Sequence, residues 1–143
     1  PSKRDVFRYL GEQVSEVMAE AARDPGTAQE RLHRVMRAAG QWLEAHPDPA
    51  RQMVRARAFT LADLGSPSQQ RLQAALGEIL TTGQRRGELR EVPVADAVTA
   101  LQCGYFACVL TWAADQGGRP LTDRLRASLD ITLNGLARAR DGS

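Results

Sequence analysis

The chain has 143 residues, enough for one domain with its own core, and 43% hydrophobic against 25% charged residues is the balance of a globular protein. Lys and Arg number 19 against 17 Asp and Glu, and a net charge of +2 is too slight to argue for nucleic acid or a membrane surface. Lys3 is the single Lys, an Arg bias that suits a GC-rich coding sequence as well as it suits selected contacts.

Helical periodicity runs the whole length, with Pro and Gly where helices should stop. Ser2 caps a first helix, with Asp5 in its first turn and an apolar stripe of Val6, Leu10, Val14, Val17, Met18 and Ala21. Asp24-Pro25-Gly26-Thr27 ends it. Thr27 and Glu30 then form a capping box for a second helix, striped by Leu32, Val35, Met36, Ala39, Trp42 and Leu43. His46-Pro47-Asp48-Pro49 predicts a stop and a third helix, with Asp48 as N-cap and Pro49 at its first position. That helix carries Met53, Val54, Ala58 and Leu61 towards Gly65, with Arg51 and Arg55 pointing away from the apolar face. Ser66-Pro67-Ser68-Gln69 starts a fourth, with Gln69 closing a capping box and Leu72, Leu76, Ile79 and Leu80 buried.

The fifth helix, roughly Val94 to Gln116, is apolar on two sides. One stripe is Val98, Leu101, Tyr105, Cys108, Val109 and Trp112; the second is Cys103, Phe106, Leu110 and Ala113. A helix apolar nearly all round needs cover on more than one side. After Gly117-Gly118 and Pro120, a sixth helix carries Leu121, Leu125, Leu129, Leu133 and Leu136. No strand-period alternation appears, so the expected fold is all-α, a bundle of about six helices. A symmetric dimer pairing the last two helices with their copies would cover the second stripe; burial of the fifth helix wholly within its own chain is the other arrangement.

Cys103 and Cys108 lie about 140° apart around that helix, so they should not pair. They read as small apolar residues in a reducing compartment. The apolar run from Cys103 to Ala114 is short of the roughly 20 residues that span a bilayer. With no signal-peptide pattern, the expected setting is soluble and cytoplasmic, with no membrane.

Groups for catalysis are scarce. Glu30 and His33 have the Glu-x-x-His spacing of di-iron bundles, but His46, the other His, has Leu43 three residues before it. No metal, cofactor or enzymatic activity is expected. Arg57 falls in the middle of the third helix's apolar face, where it anchors a ligand's carboxylate or phosphate, pairs with an internal acid, or snorkels to solvent. Large side chains such as Trp42, Phe59, Tyr105, Phe106 and Trp112, with Met36 and Met53, either fill the core or line an apolar pocket.

Pro1-Ser2-Lys3-Arg4-Asp5-Val6-Phe7 resembles the end of the helix-turn-helix module of TetR-family transcriptional regulators. There an aromatic segment is followed by x-Ser-Lys-x-x-Leu/Phe and a long linking helix. Gly87-Glu88-Leu89-Arg90 and the Ala-rich helix after it, Trp112, the Pro120-Leu121-Thr122-Asp123 start and Leu133-Asn134-Gly135-Leu136 extend the resemblance over most of the chain.

The resemblance implies a homodimeric regulator. Residues 1–143 would be its C-terminal ligand-binding and dimerisation domain, with 1–24 the linking helix carrying the tail of an absent helix-turn-helix. It implies that helices five and six form a four-helix dimer interface, for which Val98, Leu101, Tyr105, Val109, Trp112, Leu125, Leu129, Leu133 and Leu136 are candidates. Met36, Trp42, Met53, Arg57, Leu61, Leu80, Cys103, Phe106 and Leu110 are candidates for the effector pocket, and which face of the fifth helix does which stays open. Lys3 matches a position that touches DNA phosphate in the family. The partners implied are a second copy, operator DNA through the absent module, and a small hydrophobic or amphipathic effector that releases a repressor. A helical dimeric interaction module without a ligand is the competing reading. The first two dozen residues balance Lys3, Arg4, Arg8 and Arg23 against Asp5, Glu12, Glu16, Glu20 and Asp24, so these residues alone should bind DNA weakly or not at all.

Overall fold

A computed structural model describes residues 2–55, 65–115 and 117–137, with backbone alone at Lys3, Arg4, Phe7, Met53 and Arg55. These residues form six helices and no strand: α1 (Lys3–Ala21), α2 (Ala28–Ala45), α3 (Pro47–Arg55), α4 (Pro67–Arg85), α5 (Val94–Ala114) and α6 (Leu121–Asn134). The all-α expectation holds.

Helix starts follow the local chemistry. Ser2 Oγ accepts from the Asp5 amide while Asp5 accepts from the Ser2 amide, and Thr27 and Glu30 do the same for α2. These reciprocal bonds satisfy amides that a first helical turn leaves free. The Thr27 amide and hydroxyl, donating to Glu30, hold its carboxyl below the usual value. Two starts differ from expectation. The third helix begins at Pro47, not after Asp48, because Pro47 directly follows the His46 C-cap of α2 and fits a first helical position. At α4, Ser66 accepts from the Gln69 amide, but the Gln69 side chain closes no box; it reaches α1 and donates to Ser15 Oγ at 3.1 Å.

The core is one cluster. α2 packs against α1, α4 and α6, while α5 packs against α3, α4 and α6. Met18, Leu32, Leu43, Leu72, Leu76, Ile79, Leu121 and Leu125 are the largest fully buried side chains. At Gly104 of α5 an added Cβ would lie 2.8 Å from Ser128 Oγ of α6, so the absence of a side chain lets the two helices approach closely.

Polar ties between distant segments fix the helices in place. Arg31 Nη2 donates to the Ala22 carbonyl at 2.7 Å and to Glu78 Oε2 at 2.7 Å, joining α1, α2 and α4. Arg34 donates to the Asp24 and Pro25 carbonyls and closes the α1–α2 turn. α6 has no side-chain cap of its own. Glu44, near the end of α2, supplies one: it accepts from the Thr122 amide at 2.9 Å and from the Thr122 hydroxyl at 3.0 Å. His33 Nε2 lies 3.1 Å from Asp130 Oδ1, a second tie between α2 and α6. Glu30 and His33 are thus occupied with a cap and with the contact to Asp130. Gly135, at φ 75, ends α6, so Leu136 lies beyond the helix and is 89% exposed, not on its buried stripe.

Two expected outcomes follow from these ties. Glu44→Ala should lower stability by about 1 kcal/mol, the usual value of an N-cap, read as a fall in Tm of several degrees. The hydrogen bond from Arg31 holds the Glu78 carboxyl below its ordinary 4.5. That contribution is present above 4.5 and is lost as pH falls through the lower native value. Urea melts of Glu78→Gln from pH 6 to pH 3 should therefore show a shallower acid loss than wild type.

Candidate functional site

α5 is the element on which the site turns. From Ala97 to Ala114 it carries no charge. It is long and apolar enough to cross a membrane by length and composition, because Val94–Gln102 extends the apolar run expected from Cys103. Only 33% of its most apolar window is buried within the chain.

The inner side holds Val98, Leu101, Tyr105, Val109, Trp112 and Ala113, all buried. Burial pushes the Tyr105 phenol far above its ordinary pKa. The outer side presents Ala100, Cys103, Ala107, Leu110 and Ala114. Leu110 is 46% exposed, and Ile131 of α6 is 51% exposed. Gly104 opposite Ser128 and Cys108 Sγ at 3.6 Å from the Arg124 carbonyl set α5 and α6 antiparallel. That register carries Ile131 to the level of Ala100, so the outer apolar surface spans both helices.

These placements show which face of α5 the core of its own chain takes, the choice the sequence left open. Val98, Leu101, Tyr105, Val109, Trp112, Leu125 and Leu129, candidates for an interface, are buried within their own chain. Leu133 is half-buried and Leu136 is past the helix end. Cys103 and Leu110, candidates for a pocket, face outward. A helix with no charged stripe gives no phase to its wheel, which is why the sequence left the assignment of the faces open. The second stripe also splits, for Ala113 is buried and Phe106 is half-buried, its ring 5.3 Å from that of Tyr105.

The remaining pocket candidates do not converge. Met36 and Leu80 are buried in the core, and Trp42 stacks on His46 at 4.2 Å. Arg57 and Leu61 lie outside the described residues, as do the side chains of Met53 and Lys3. Met36, Tyr105, Leu125, Ser128 and Thr132 line a crevice between α2, α5 and α6 of about 200 Å³, counted to its open mouth. Its enclosed part has room for no more than about one water molecule, too little for an effector.

Arg51 was expected on the outer side of the third helix. Its guanidinium instead lies 4.8 Å from the centre of the Trp112 ring, where the cation meets the negative face of the indole and joins α3 to the end of α5. Nothing in the local spacing of Arg51 signals this, since the partner is 61 residues away. Among the described residues no cluster of three or more His, Cys, Asp or Glu could hold a metal ion.

Neither a family model nor a curated protein matches the chain. Among solved structures, it is similar to the TetR family transcriptional regulator PfmR from Thermus thermophilus, with a TM-score of 0.73 and 22% identity. The match covers 96% of this chain and 78% of that one. Over nearly its whole length, therefore, the chain has the fold of a TetR family transcriptional regulator.

Proposed function

We propose that the chain is the ligand-sensing and dimerising domain of a TetR-like transcriptional regulator that acts in the cytoplasm, with operator DNA read by a helix-turn-helix outside these residues. The fold likeness supports the family. The observation that carries the dimer is the uncharged outer side of α5, continued by Ile131 on α6. Two copies related by a two-fold axis would bury it in a bundle of two α5 and two α6 helices. The interface then consists of Ala100, Cys103, Ala107, Leu110 and Ile131, the surface left after the core is built. On this reading the protein binds and signals, with no reaction of its own. A small hydrophobic or amphipathic effector, held among α1 to α5, prefers one arrangement of the dimer and shifts the spacing of the two DNA readers, releasing a repressor.

Two measurements test this. Light scattering should find wild type dimeric. Ala107→Arg, which buries an unpaired charge at the centre of the outer face, should weaken association by roughly 10²–10³-fold while helical circular dichroism is kept. A dimer indifferent to that change would remove the interface. For the sensor, a compound that raises the Tm of this domain should change operator affinity of the full-length regulator by about 5–150-fold. A dimer that no member of a metabolite panel stabilises would instead be an interaction module without a ligand.

A further inference from the structure

A guanidinium drawn partly out of water keeps its charge and needs acceptors for its N–H donors. Among the described residues, Arg31, Arg34, Arg51 and Arg124 are the half-buried arginines. Three of them find acceptors. Arg31 bonds Glu78 and the Ala22 carbonyl, and Arg34 bonds the carbonyls of Asp24 and Pro25. Arg124 bonds Asp115 and the Arg119 carbonyl. Arg51 makes no hydrogen bond or ion pair with any described residue, and its Nε is shut off from solvent.

What holds Arg51 is the Trp112 ring, its centre 4.8 Å from the guanidinium carbon. An indole face attracts the charge but gives the N–H donors no lone pair. Trp112 is itself buried, so the cation is fixed on the wall of the core. Among the described residues no acid pairs with it. Asp48, three residues before it on α3, is exposed and forms no ion pair with it. At neighbouring helix ends, Glu44 is committed to Thr122 and Asp115 to Arg124. One turn on from Arg51, the half-buried Val54 continues α3 with apolar surface where that helix packs on α5.

We propose that Arg51, seated on Trp112, anchors the oxyanion head of an amphipathic effector, a carboxylate or a phosphate, whose apolar body lies along the seam between α3 and α5. The proposal rests on reading the domain as an effector-binding one. The donors of a guanidinium stand in a fixed fork that matches two oxygens of such a head. A hydroxyl offers one weaker acceptor, and an ammonium offers none and repels the cation. The ring holds the fork in place before the ligand arrives, so little rotamer freedom is lost on binding.

Calorimetric titration of the whole chain with octanoate, octyl phosphate, 1-octanol and octylamine tests it. These four share one apolar body and differ in the head group. The better of the two anions should bind at least about tenfold more tightly than octanol or octylamine, and it names the head. Arg51→Met keeps a long apolar stem over Trp112 and removes the donors. It should weaken that anion roughly 10–100-fold and level the preference, with helical circular dichroism kept. A second reading does not depend on that variant. In Trp42→Phe the remaining Trp is Trp112, and the anion should change its fluorescence. A preference that survives in Arg51→Met overturns the proposal, as does an anion that binds without altering Trp112 emission. Equal binding of all four probes overturns it and leaves the effector reading standing. Binding by none of them overturns it as well, and the effector reading falls only if the metabolite panel also holds no stabilising compound.

Discussion

The structure depends on the absence of charge along α5. Eighteen residues from Ala97 to Ala114 offer water nothing ionic, and a single chain of this length wraps only one side of them. The inner side organises the core, because Val98, Leu101, Tyr105, Val109 and Trp112 give α3, α4 and α6 a common surface to pack on. The outer side is left as continuous apolar surface on a monomer. Burying such surface is the dominant favourable term in folding and in association, so the inner side drives the first and the outer side would drive the second in the proposed dimer. The close approach of α6 at Gly104 confines the contact with α6 to the flank of α5 and keeps the outer side clear.

The elements of the fold were largely legible because they rest on local chemistry. Ser2 with Asp5, Thr27 with Glu30, and Ser66 with Pro67 are signals contained within four residues, and each marks a helix start in the structure. Where a local signal misled, a neighbour beyond the window had taken the side chain. Gln69 is spaced to cap its own helix and bonds Ser15 instead. Asp48 is a good N-cap residue, but the chain turns directly from the His46 C-cap of α2 into Pro47.

The site was less legible, for a different reason. A sequence wheel assigns an inward side by contrast with a polar one, and α5 has little contrast to read. That it is apolar on two sides was evident; which side faced the core depended on where α6 and α3 come to rest. Arg51 makes the same point. Its place over Trp112 follows from the packing of α3 on α5, and no spacing within the third helix encodes it. Long-range polar ties such as Arg31 with Glu78 were equally silent in the sequence, since their partners lie 47 residues apart.

The borrowed cap of α6 has a consequence for the order in which the molecule is built. A helix of 14 residues is marginal on its own, and this one begins with Pro120 and no side chain to satisfy its first amides. Its start is completed by Glu44, 78 residues earlier in the chain. Closing so long a loop is entropically slow, and it requires α2 to be formed already at its far end. α6 therefore docks late, after the local pairing of α1 with α2. The joint α5–α6 surface exists only once that docking is complete.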